Sequence, residues 1–247
     1  MVCCKVCKSR NTKHIGSKNN CLIHRCFDCS LVFVDPLPSD EELDFFYNNY
    51  HKSDQYNKKF KSKIRKTKFR LFFLKFFLSG RDFIDIGCNQ GYAVEAARQM
   101  KFNACGSDVD NEAIDKASKD FPDCTFFQNS IEEIADKDKK YDLIYCSEVI
   151  EHVKDPISFT KSLKKILKPK GIIFLTTPDI DHKSLPKDKS SLFETNFIRP
   201  PEHLYYFTIQ SIELLFRNNK LSKNRFLKTR SPSVSYTHLT LPTICSV

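Results

Sequence analysis

The chain has 247 residues with 40 Lys and Arg against 30 Asp and Glu, eleven Cys and only six Gly, enough for one α/β domain of ordinary size and a small appendage. Its longest apolar run, 71–78, is interrupted by Lys75 and is far too short for a membrane span. The first residues are cysteines and charges rather than a signal peptide, so a reducing, cytoplasmic setting with a metal site is expected in place of disulfides. The formal charge of +10 admits an acidic partner such as nucleic acid, but a Lys-rich solvated surface is the preferred reading.

In chain order, residues 1–50 open with Cys4-x-x-Cys7 and, after a short insert, Cys26-x-x-Cys29. Two such pairs can bring four thiolates into the tetrahedron that a structural Zn²⁺ requires, and Cys3 and Cys21 are spare sulfurs nearby. So small a ribbon has little core of its own, and metal binding would supply much of its folding energy. Ser39 followed by acids at 40–42 marks a capped helix start, and Phe46, Tyr47 and Tyr50 its end. Residues 51–80 are strongly basic, with Asp54 the sole opposing charge before 80. From Ile64 onward apolar residues recur near helical spacing. This predicts a linker helix packed on the next domain with its cations in water. Interleaved Phe69, Phe72, Phe73, Phe76 and Phe77 keep nucleic-acid contact open, though it is not favoured.

From 81 to 232 strands and helices alternate, which predicts a parallel sheet flanked by helices. Strands are expected at 83–86, 104–107, 125–128, 141–146 and 172–176, with another at 225–229. Helices are expected at 92–100, 111–119 (capped by Asn111), 156–167 and 209–218. The stretch Phe83-Ile84-Asp85-Ile86-Gly87-Cys88-Asn89-Gln90-Gly91-Tyr92 is a strand, a glycine turn and a helix start, a way of holding a nucleotide-like ligand against backbone N–H groups. Asp108 closes the following strand. Glu148, Glu151 and His152 stand at i, i+3 and i+4, on one face if helical, and His203 lies in a downstream loop.

This succession resembles the class I S-adenosylmethionine-dependent methyltransferases over most of 81–230, and the cysteine-rich start resembles the zinc-ribbon heads of some members. The resemblance implies a Rossmann-like, mostly parallel sheet. It places Asp85, Gly87, Cys88 and Gly91 around the amino-acid end and ribose of S-adenosylmethionine, with Asp108 on the ribose hydroxyls. Val109 would pack on adenine, Asn129 and Ser130 would lie at its edge, and Ser147 would line the same site. Two departures are visible: Asn89 where the family usually has glycine, and Ser130 where Asp is common. His152, Glu151 and His203 are the catalytic candidates. Glu148, Glu151, His152 and His203 together resemble a divalent-metal site, with Mg²⁺ as candidate ion, found in quinone-pathway and small-RNA O-methyltransferases. The ribbon head favours a small polar acceptor such as a sugar. The alternatives are an RNA or quinone-type O-methyltransferase and a non-catalytic binding module. Oligomeric state is left open.

Residues 233–247 show neither core periodicity nor family resemblance. They read as a translated sequencing adapter, and the last antiparallel strand usual in this fold is expected to be missing.

Overall fold

A computed structural model describes residues 2–43, 60–221, 224–228 and 236–240 of the chain. Its first unit is a four-stranded antiparallel sheet in the order β1-β2-β3-β9. Strands β1 (Thr12–Lys18) and β2 (Cys21–Cys26) are joined by Asn19 and Asn20, both at positive φ. Asn tolerates that conformation better than other side chains, and it matches the right-handed twist of a two-residue hairpin. Strand β3 (Val32–Val34) completes the ribbon, and β9 (Tyr205–Tyr206) joins its edge from far along the chain. Ser39 and Glu42 form the expected reciprocal cap, with Ser39 N–H donating to Glu42 at 2.7 Å and Glu42 N–H to Ser39 Oγ at 3.1 Å. The aromatic residues expected to end that helix lie outside the described residues.

Helix α1 (Phe60–Leu74) buries Thr67, Leu71 and Leu74, and Arg70 reaches inward to donate to the Tyr145 hydroxyl at 2.7 Å. The outer face differs from expectation. Phe69, Phe72, Phe73, Phe76 and Phe77 are all more than half exposed. The helix has one inward stripe, and Thr67, Leu71 and Leu74 already fill it.

The second sheet has the order β10-β11-β8-β7-β4-β5-β6. Its parallel part is β4 (Asp82–Ile86), β5 (Asn103–Asp108), β6 (Thr125–Gln128), β7 (Tyr141–Ser147) and β8 (Leu167–Thr176). The helices between them are α2 (Tyr92–Gln99), α3 (Asn111–Asp120), the short α4 (Ile131–Ala135) and α5 (Pro156–Lys165). Asp110, not Asn111, caps α3, its carboxylate accepting from the N–H groups of Glu112 and Ala113. A carboxylate at the positive helix end is the stronger cap. Beyond β8 come α6 (Lys189–Glu194), β9, α7 (Ile209–Asn218) and the strands β10 (Asn224–Lys228) and β11 (Tyr236–Thr240).

Strand β11 corrects the expected missing strand. It runs antiparallel between β8 and β10, with His238 opposite Leu175 and Lys228 opposite Tyr236. The ladder is made by backbone groups. An open edge of a buried strand can therefore recruit a β-prone segment without core-facing alternation.

Candidate functional site

The sheet brings the predicted nucleotide-binding residues to the C-terminal ends of β4 and β5. Asp85 is buried in β4, and burial pushes its carboxyl well above the carboxylate range, with the Asp108 charge adding to the effect. Asp108 ends β5 and is also raised by burial, although the N–H groups of Asn89 (2.7 Å) and Asp110 (3.1 Å) bind its two oxygens. Gly87 and Gly91 both have positive φ. A Cβ on Gly87 would sit 2.4 Å from a Val149 methyl, so the turn after β7 packs directly on the glycine turn after β4. Asn89, at φ 45, adopts the left-handed conformation that glycine would supply. Cys88 is buried, and Val109 is 69% exposed, an apolar side chain open to solvent at the mouth of this site.

Other candidates are committed elsewhere. Asn129 donates its N–H to the Asp108 carbonyl and accepts from Ser107 Oγ, while its side-chain oxygen accepts from Lys137. Ser130 caps α4 in a reciprocal box with Glu133. Ser147 shares a 2.8 Å hydrogen bond with Thr176.

The acidic turn is built differently from the expected helical face. Residues 148–152 form a tight turn, with Glu148 at φ 58 and His152 N–H donating to the Val149 carbonyl. Glu148 accepts from Thr176 Oγ1, and burial raises its carboxyl to about 7. The metal-competent cluster contains Glu151, His152 and His203, whose ligand atoms lie within 4.8 Å of one another; Glu148 falls outside it. Glu151 is fully buried. Thr177 donates to its Oε2 at 2.9 Å, but Oε1 has no partner. Burial and the neighbouring Glu148 hold this carboxyl well above its usual range.

Hydrogen-bond partners fix the two imidazole tautomers. A carbonyl only accepts, so His152 Nδ1 donates to Glu202 O at 2.6 Å and the lone pair sits on Nε2. A guanidinium only donates, so His203 Nε2 accepts from Arg199 at 3.0 Å and Nδ1 carries the proton. That Nδ1 is buried without a partner. Burial lowers both imidazoles, His152 to about 4, which keeps them neutral. The sequence reading missed Arg199, Thr176 and Thr177. The first lies in an irregular stretch, Thr176 reads as an ordinary strand residue, and Thr177 lies just past the expected strand end.

In the ribbon, the Sγ atoms of Cys4, Cys7, Cys26 and Cys29 all lie within 4.8 Å of one another. Cys4 and Cys29 are 3.6 Å apart and Cys7 and Cys26 3.5 Å. Cys4 is pulled down to about 5 by the Cys29 thiol, which is itself pushed up by the same contact. Four soft sulfurs at this spacing could hold Zn²⁺.

A parallel sheet of this order, with a glycine turn after its first strand and an acid closing the second, defines the class I S-adenosylmethionine-dependent methyltransferase fold. The chain belongs to the methyltransferase family, whose domain model matches residues 55–222. Among curated relatives, the ubiquinone biosynthesis O-methyltransferase of Actinobacillus pleuropneumoniae serotype 7 (strain AP76) is 34% identical over 109 residues, 40% of this chain and 47% of that protein. The matched region thus spans about half the length of such relatives. Magnesium protoporphyrin IX methyltransferase from Synechocystis PCC 6803, solved with bound SAH, is similar in fold, with TM-score 0.58 and 17% identity over 83% of this chain and 95% of that one. A putative methyltransferase in complex with the Trm112 activator of Haloferax volcanii has TM-score 0.57 and 15% identity over 76% of this chain and 95% of the other. Among the described residues no helix is long and apolar enough to cross a membrane.

Proposed function

We propose that the protein transfers a methyl group from S-adenosylmethionine to a hydroxyl of a small acceptor. The observation that carries this is a pair of complementary buried orphans: Glu151 Oε1, an acceptor in the ionised form that serves as base, and His203 Nδ1–H, a donor. Each costs about 1–3 kcal/mol when left unmade. A hydroxyl both donates and accepts, so one acceptor oxygen satisfies both atoms. Glu151 follows Val149 by two residues, and Val149 packs on the glycine turn.

When bound, S-adenosylmethionine supplies an electrophilic methyl on a sulfonium. Asp85 and Asp108 fit its cationic and ribose ends: both carboxyls are raised by burial, and a nearby positive charge returns them to the ionised form. Gly87, Cys88 and Gly91 shape the turn around it, Val109 offers an apolar surface to a base, and Asn129, Ser130 and Ser147 brace its walls. Glu151 receives the acceptor's proton, His203 fixes the acceptor oxygen, and His152 presents Nε2 to the same space. The relatives' name supports a phenolic or quinol-type hydroxyl; nothing among them supports the sugar expected from the ribbon head. With radiolabelled cofactor and 3,4-dihydroxybenzoate as probe, Glu151→Gln and His203→Ala should each lower transfer by about 10²–10⁴-fold, a range typical of a lost acid–base group. Undiminished transfer in Glu151→Gln contradicts the assignment.

A second reading is favoured by the three clustered donors. Glu151, His152 through Nε2 and His203 would suit a divalent first-row transition ion, since neutral imidazoles suit such metals and not Mg²⁺; His203 would bind it only by giving up its Nδ1 proton or its Arg199 hydrogen bond. That ion would lower the pKa of the acceptor hydroxyl. Restoration of transfer by Mn²⁺, Co²⁺ or Zn²⁺ after chelation supports it; transfer unaffected by chelation rules it out. We also propose that Cys4, Cys7, Cys26 and Cys29 hold a structural Zn²⁺.

A further inference from the structure

Residues 177–207 carry Arg199, Glu202 and His203, yet they contain little regular structure beyond α6 and the two residues of β9. A segment so irregular needs its backbone groups satisfied from outside. Much of that satisfaction comes from the ribbon. Lys18 Nζ, at the end of β1, donates to the carbonyls of Phe193 and Thr195, both at 2.8 Å. These are orphan carbonyls at the negative end of α6, where a cation is favoured. Asn19, in the positive-φ hairpin turn, donates its side-chain amide to the Pro200 carbonyl at 2.7 Å. Gly16 lies so close to the Phe193 ring that a Cβ there would meet it at 2.7 Å. Arg25 pairs with Asp181 at 3.1 Å.

The contacts then run on into the site. Strand β3 pairs with β9, and Val34 N–H donates to the Leu204 carbonyl at 2.9 Å. The N–H groups of Leu204 and Tyr205 in turn both donate to the carbonyl of Glu151, at 2.9 and 3.2 Å. Cys4, Cys26, Cys29 and Phe33 share one core with Leu204 and Tyr205. A backbone path therefore joins the cysteine ribbon, the strand following His203 and Glu151 itself.

We infer that the ribbon is a clamp that positions the acceptor-side cluster, with Lys18 and Asn19 as positioning residues acting through the backbone at 193–200. The role assigned to Glu151 and His203 rests on the proposed function; the clamp itself is read from the contacts. Its consequence is that an event in the ribbon, loss of its metal or oxidation of its thiols, disturbs the acceptor side more than the cofactor side: these hydrogen bonds from the ribbon end on residues 177–207, and only the shared apolar core continues to Ile84, Ile86 and Cys105.

The test uses the full chain with Lys18→Met/Asn19→Ala, both surface positions outside the cysteine cluster. Hydrogen exchange followed by mass spectrometry should show residues 193–207 exchanging about tenfold faster, the order expected when hydrogen bonds holding a segment are lost. Exchange across β4 and β5, and calorimetric affinity for S-adenosylmethionine, should stay within about twofold of the parent, because the contacts removed lie outside that region. The ring resonances of His152 and His203 should shift, a signature that a merely structural loss elsewhere would not produce. Lys18→Arg, which keeps N–H donors for the Phe193 and Thr195 carbonyls, should retain parental exchange over 193–195. Unchanged exchange over 193–207 in the double variant overturns the clamp, as does equal loss of cofactor affinity. If exchange rises while Glu151→Gln still methylates 3,4-dihydroxybenzoate at the parental rate, the clamp stands and the proposed acceptor chemistry falls.

Discussion

Gly87 shows how a single residue ties the two halves of the site together. Its positive φ disfavours any side chain, and the space a Cβ needs is held by Val149. Gly87→Ala should cost about 1–2 kcal/mol from the left-handed backbone alone, with the clash added to it. Thermal denaturation should show partial recovery in Gly87→Ala/Val149→Ala, because the second change relieves the clash and leaves the backbone cost. Full recovery, or none, would contradict that division. Asp85, Gly87 and Asp108 were legible in the sequence because a strand, a turn and the next strand's end are local patterns. Thr177 and the Lys18–Asn19 contacts were not, since each depends on a partner far along the chain, and Arg199 was not because it meets His203 four residues on within an irregular stretch that has no periodicity to mark it.

At the scale of elements, the ribbon and the base of the sheet make separate predictions. Purified protein should carry about one zinc per chain, as a four-thiolate structural site does. Cys26→Ser/Cys29→Ser should lose that zinc; undiminished metal in this variant would contradict the ligand set. At the N-terminal end of the parallel sheet, Lys168 binds both Asp82 and Asp142, and Asp142 also accepts from Asp82 N–H. Its Lys168 hydrogen bond holds Asp82 below the usual carboxylate range, and Asp82 and Asp142 raise Lys168 in return. The Asp82 contribution is present above its unfolded pKa of about 4 and is lost as pH falls through the lower folded value. The Lys168 contribution is present below its unfolded pKa of about 10.4 and is lost as pH rises through the higher folded value. Melting temperature of the parent should therefore exceed that of Lys168→Met between those limits and converge with it in acid. A constant difference down to pH 2 would contradict the linkage. Periodicity located the main helices and parallel strands, but it could not locate β9, whose two residues are strand only because β3 lies beside them. It also could not say which face of α1 turns outward, where Phe69, Phe72 and Phe73 meet water.

For the whole molecule, the proposed cofactor side lies at β4 and β5, and the proposed acceptor side lies where the turn after β7 meets residues 177–207, which the ribbon braces. The parallel order was legible because strands alternating with helices admit few arrangements. The antiparallel β11 was not, because its pairing is imposed by the open edge of β8. Residues 233–247 remain proposed as an adapter-derived tail; the pairing of β11 reflects backbone hydrogen bonding and does not depend on their origin. S-adenosylmethionine is proposed to bind between Asp85 and Asp108 for methyl transfer. Isothermal titration of the full chain with S-adenosylmethionine tests it most directly. One site per chain is expected, with an affinity loss in Asp108→Ala of about 1.5–3 kcal/mol, the worth of hydrogen bonds to a charged group. Absence of binding, or equal affinity in the parent and Asp108→Ala, would contradict it.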